Sequence, residues 1–129
     1  MAKLKIKAKV NVPNGNVETG LSLVSFVEDG VTIIYSPALD LSGSGYDLNE
    51  AKASFWEALT EFIRYTVNKR TLLAELKRLG WSIKGGKKGR VITAPDNSSL
   101  LRSNKEFEDI FNNKEFRTFN ETVQIPAFA

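Results

Sequence analysis

The chain has 129 residues, 42% of them hydrophobic and 26% charged, with a net charge of +3. That is the length of one domain and the composition of an ordinary globular protein. It contains no cysteine and no histidine, which excludes disulfides and thiolate metal sites and removes the commonest general base and metal ligand.

The N-terminal MAKLKIKAKV alternates lysine with apolar residues and has no continuous apolar h-region, so it does not read as a signal peptide. No run approaches the ~20 apolar residues of a membrane span. The expectation is a cytoplasmic protein, with no membrane partner. Leu4, Ile6, Ala8, Val10 and Val12 alternate with lysines and Asn11. A period of two predicts a strand with one wet face, whose lysines suit the protection of a sheet edge. Pro13-Asn14-Gly15-Asn16 breaks it. Leu21–Val27 and Val31–Tyr35 are apolar on both faces and flank Asp29-Gly30, the dipeptide of a tight hairpin turn. The three strands predict an antiparallel meander that ends at Ser36-Pro37.

Ser42-Gly43-Ser44-Gly45 reads as a tight strand-to-helix turn, where glycine permits positive φ or close backbone approach. A phosphate-cradling loop is rejected, because the Lys-Ser/Thr of a P-loop is missing. Asp47 with Glu50 predicts a helix N-cap and capping box. Leu48, Ala51, Phe55, Ala58, Leu59, Phe62, Ile63 and Thr66 follow three-four spacing and predict a helix from Leu48 to about Val67. Glu57 and Glu61 lie one turn apart on its wet side and read as solvated rather than catalytic. Trp56 sits off the apolar stripe, either on the rim of the core or at a partner interface.

Thr71 can cap a second helix with Leu72, Leu76 and Leu79 on its buried edge and Gly80 at its end. Residues 81–94 predict a hairpin, with Trp81 as core and Gly85–Gly89 as a basic loop. From Lys69 to Arg90 the chain carries Lys69, Arg70, Lys77, Arg78, Lys84, Lys87, Lys88 and Arg90 against Glu75 alone. Lys84, Lys87, Lys88 and Arg90 are therefore the candidate nucleic-acid contacts, although interleaved aromatics for stacking are missing. Asn97 or Ser98 can cap a short helix, and Asn104 another with Phe107, Ile110 and Phe111 on one face. Phe116 through Ile125 reads as extended. This tail either folds back on its own sheet or packs on a second subunit. The second is expected, because its apolar surface exceeds what a sheet already covered by a helix usually hides. Phe116, Phe119, Val123 and Ile125 are the candidate self-association residues, in a homodimer or larger.

The segment SPALDLSGSGYDLNEA resembles the P-x-L-x-x-x-G-x-G-x-(T/D)-x-x-E-A signature of HicB-like antitoxin domains. Pro37, Leu39, Gly43, Gly45, Asp47, Glu50 and Ala51 carry it, and the close at Leu76, Leu79, Gly80 and Trp81 extends it. The resemblance covers about residues 4–84. It implies an α+β fold: an antiparallel meander with a long amphipathic helix on one face, like a trimmed ribonuclease-H core. Residues 85–129 then form an extension of a single domain, 1–129. The resemblance also implies a non-catalytic function, binding and masking a small messenger-cleaving ribonuclease toxin, with no cofactor. The alternative is an orphan domain of this kind that binds nucleic acid through residues 69–90. From Asn97 on, neither helix-turn-helix nor ribbon-helix-helix is legible, although many family members carry such a DNA-binding segment. Nuclease activity is not expected, because the first strand, Leu4–Val12, has no Asp or Glu to hold magnesium.

Overall fold

Two consecutive residues with positive φ, Asp29 (52°) and Gly30 (79°), set the central hairpin. They form the type I′ turn whose twist matches the strands. The hairpin joins β2 (Asn16–Glu28) to β3 (Val31–Ser36), and β3 pairs on its far side with β4 (Leu41–Gly45). The structure is a computed structural model and describes residues 9–11, 16–85 and 91–126. Of the expected first strand, residues 9–11 are described, as β1 (Lys9–Asn11), antiparallel to the start of β2. The rest of that strand and the turn at 12–15 lie outside the described residues.

β4 corrects the sequence reading of 42–45 as a turn. Leu41–Gly45 is a strand in register with Thr32–Ser36. Its glycines serve contact rather than bending. A Cβ on Gly43 would lie 2.6 Å from Phe55 Cα, and one on Gly45 would lie 2.7 Å from the Ala51 nitrogen. Only bare backbone lets the helix lie this close.

That helix, α1 (Leu48–Lys69), begins where the sequence places it. Asp47 Oδ1 accepts from the Glu50 amide at 2.8 Å. Glu50 Oε1 accepts from the amide of Tyr46, one residue before the cap, also at 2.8 Å. Ala51, Phe55 and Leu59 are buried, and Trp56 is a half-buried rim residue with its ring edge-on to Phe55. Arg70 ends the helix in the left-handed region. α2 (Leu72–Arg78) buries Leu72 and Leu76. Thr71 precedes it without a side-chain cap bond. Gly80 and Trp81 donate their amides to the Lys77 and Leu76 carbonyls, which closes the helix. β5 (Ser82–Lys84) and β6 (Val91–Thr93) form the expected hairpin as a separate two-stranded sheet.

α3 (Asn97–Ser103) starts one residue earlier than expected: Asp96, not Asn97 or Ser98, is the cap, accepting from the Ser99 amide at 2.8 Å. α4 (Lys105–Asn113) is capped by Asn104 as expected, with Phe107 and Ile110 buried and Phe111 exposed. β7 (Phe116–Pro126) then pairs antiparallel with β2 along its whole length, from Phe26↔Phe116 to Asn16↔Pro126. The tail thus lies on its own sheet. Val123 and Ile125 are buried in the chain's own core, which removes the apolar excess that suggested a tail exchanged between subunits.

Among the described residues the main sheet has five strands, with β7 and β4 at opposite edges. α1 covers one face, over Gly43 and Gly45. α4 meets the other face, where Lys114 Nζ sits 5.8 Å from the Phe26 ring centroid and bonds Glu28 at 3.3 Å. The architecture is α+β, and among the described residues no helix is long and apolar enough to cross a membrane.

Candidate functional site

The turn Pro37–Asp40, the start of the signature, is held from three sides. Trp81 Nε1 donates to the Ala38 carbonyl at 2.8 Å. Asn104 Nδ2 donates to Tyr35 Oη at 2.9 Å and to the Pro37 carbonyl at 3.4 Å. Tyr35 Oη in turn donates to Asp40 Oδ1 at 2.7 Å. Burial, and then the bond to Asp40, push the Tyr35 phenol well above the ordinary tyrosine range. A neutral, hydrogen-bonded tyrosine and a buried tryptophan are joints between segments. They tie α2 and the α3–α4 junction to the sheet.

Beside this turn lies a groove of about 720 Å³, which the sequence did not signal. Ser22, Thr118 and Asn120 of the sheet line it, with Ser82 and Thr93 of the hairpin and Asn97, Ser99 and Ser103 of α3. Leu79 and Leu100 supply its apolar part. Its hydrogen-bonding groups are hydroxyls and amides. Among the described residues its one carboxylate, Asp96, is held below its usual range by the bond from the Ser99 amide. Among the described residues no cluster of Asp, Glu, His or Cys is arranged to hold a metal ion.

The outer side of α1 offers different chemistry. Glu50, Glu57 and Glu61 recur at spacings that keep them on one helix face, and all three are exposed. Glu50 is committed to the Tyr46 amide, and Glu61 pairs with Arg64. Exposed aromatics border both ends of this row: Tyr46 at 82% and Tyr65 at 63%. The two acids that the sequence reads as merely solvated thus belong to a longer row with aromatic ends.

The expected nucleic-acid contacts are only partly placed. Lys84 is exposed on β5, while Lys87, Lys88 and Arg90 lie outside the described residues. Elsewhere in the basic stretch, Arg78 is engaged by Glu75 at 2.8 Å and Lys69 Nζ sits 5.7 Å from the Tyr65 ring. The expected self-association residues separate into two kinds. Val123 and Ile125 are interior, whereas Phe116 and Phe119 are half-buried at the sheet edge. Phe116 meets the exposed Phe111 ring at 5.5 Å, and Lys52 Nζ lies 5.3 Å from the Phe119 ring. No protein-family model matches the chain, and no curated protein or solved structure matches it either.

Proposed function

We propose that the chain is a non-catalytic, antitoxin-type binding domain of the HicB-like kind, which masks a small ribonuclease. The outer face of α1 carries this reading. A ribonuclease must be positive where it holds RNA, and a masking partner gains specificity and speed by presenting carboxylates there. Glu57 supplies charge, Glu61 adds a carboxylate that Arg64 partly offsets, and Tyr46 and Tyr65 supply the rigid aromatic anchors typical of interface hot spots. The glycine contacts beneath Ser54 and Phe55 hold the helix firmly against the sheet, so the face is preorganised.

The test looks first for a small basic ribonuclease encoded beside this chain, whose absence counts against the reading, and then uses that enzyme. Adding the full chain should suppress RNA cleavage at near-stoichiometric ratio. Glu57→Lys with Glu61→Lys should relieve that suppression while the melting temperature stays close to that of the parent. Suppression that survives the double reversal, or cleavage that the chain leaves untouched, counts against the reading. The alternative, nucleic-acid binding through residues 69–90, requires duplex affinity that falls steeply with salt and weakens on charge reversal at Lys84, Lys87, Lys88 and Arg90.

A further inference from the structure

The two edges of the main sheet are treated differently. At the C-terminal end of β4 the outward side is met by α1: Ser44 donates its amide to Ser54 Oγ at 3.1 Å, and Tyr46, just past the strand, donates to Glu50 Oε1 at 2.8 Å. The helix covers that end of the edge. β7 is longer, and among the described residues no strand pairs with its outer side.

The direction of its backbone groups follows from the hairpin. A type I′ turn at Asp29-Gly30 makes Glu28↔Val31 a hydrogen-bonded pair. Bonded pairs alternate from there, so Val24 and Phe26 bond toward β3, and Leu21, Leu23 and Ser25 bond toward β7. Their partners Glu121, Phe119 and Arg117 are committed to β2, whereas Phe116, Thr118, Asn120 and Thr122 turn their backbone groups outward. Pro126 agrees with this phase. Opposite Asn16, its nitrogen falls on the outward side, where an edge strand tolerates proline.

We infer that the β7 edge pairs antiparallel with the β7 edge of a second copy, about a two-fold axis through Phe119. This axis places Arg117 of each copy opposite Glu121 of the other, and Phe119 opposite itself. These are non-bonded pairs, in which side chains approach most closely. Thr118 then meets Asn120, and Phe116 meets Thr122, as bonded pairs whose outward backbone groups are in the right phase. Neighbouring registers of the same phase lose the match. An axis at Thr118 opposes Glu115 to Glu121, and an axis at Asn120 opposes Arg117 to Val123. Within Phe116–Pro126 the charged residues are Arg117 and Glu121, and this register is the one that opposes them. The two copies would share one continuous sheet, with no exchange of tails. The inference is independent of the masking role, because α1's acidic face takes no part in it.

Sedimentation equilibrium on the full chain, over a concentration series at moderate salt, tests it. The parent chain should dimerise. Arg117→Glu and Glu121→Arg should each weaken the homodimer about tenfold, since each replaces two cross-strand attractions with repulsions. An equimolar mixture of the two single variants should dimerise again. In that heterodimer one copy carries a carboxylate at both positions and the other a guanidinium at both, so each of the two symmetry-related pairs is again one of opposite charge. Asn120→Pro should abolish the dimer while leaving the circular-dichroism spectrum and the β2 ladder intact, since its amide faces outward. A parent chain that stays monomeric would overturn the inference and assign Arg117 and Glu121 to edge protection. So would a dimer indifferent to both reversals, or a mixture that fails to re-form one.

Discussion

Replacing Gly43 with alanine tests how α1 is seated. The added Cβ would lie 2.6 Å from Phe55 Cα and 2.8 Å from the Ser54 carbonyl carbon, closer than the 3.0 Å that real Cβ atoms keep. Both obstacles are backbone, so no rotamer change relieves the contact and the helix must move. Overpacking of this kind costs typically ~1–3 kcal/mol, and the rigid obstacle places Gly43→Ala at the upper end, ~3 kcal/mol. The lower entropy of the unfolded alanine chain offsets ~0.4–1 kcal/mol of that. The net loss is ~2–3 kcal/mol, or roughly 6–10 °C in melting temperature for a domain of this length. Urea denaturation followed by circular dichroism measures it, with the exposed neighbour Ser44→Ala as control, expected within ~0.5 kcal/mol of the parent. The sign is decisive. If 42–45 were a mobile turn, alanine would be neutral or stabilising. A Gly43→Ala chain as stable as the parent would refute the close contact of helix and strand.

Other perturbations read other joints. Asp47→Ala removes the acceptor of the Glu50 amide and should cost ~1 kcal/mol by urea denaturation, whereas Asp47→Asn should cost little. The raised Tyr35 phenol sets a pH dependence: its stabilisation is complete below the ordinary tyrosine value of about 10 and is lost as pH rises beyond it. Tyr35→Phe should therefore flatten the alkaline decline in melting temperature, and an unchanged decline would place its origin elsewhere. Asn104→Ala loses both the α4 cap and the bonds to Tyr35 and Pro37. It should lower stability by ~1–3 kcal/mol and speed amide exchange in 97–113 more than in α1.

What the sequence made legible was decided locally. The α1 cap, the three-four stripe from Ala51 on, the Asp29-Gly30 turn and the hairpin expected at 81–94 depend on neighbours within a few residues, and the structure places them where the pattern does, except that Leu48, expected on the apolar face, is exposed at the helix start. Asp96 was missed as a cap by one position because three adjacent residues, Asp96, Asn97 and Ser98, all suit the role. β4 was misread for a deeper reason. Glycine in isolation signals freedom, and only the helix packed over Gly43 and Gly45 converts it into a strand requirement. The tail was read correctly as extended, but its partner was a choice made 90 to 110 residues away in sequence, and β2's mostly polar start, Asn16–Gly20, with Val17 as its one apolar side chain, gave little cue to a strand of 13 residues. The groove left no trace in sequence because its hydroxyls and amides come from β2, β5, β6, α3 and β7.

The residues that carry the antitoxin-like signature all have work inside the fold. Pro37 and Leu39 are buried, and the Pro37 carbonyl is bonded by Asn104. Gly43 and Gly45 seat the helix, while Asp47 and Glu50 start it. None of them presents a free recognition group outward. A signature of this kind specifies how a meander receives its helix, and it is compatible with more than one partner. On the proposed reading, discrimination between partners would reside in exposed positions between the signature residues and beyond them, such as Tyr46, Glu57, Glu61 and Tyr65. Variants at signature positions would lose function by losing the fold, and would be mistaken for contacts. Variants on the outer face of α1 leave the core untouched, so a loss of the proposed masking there would be assigned to the surface itself.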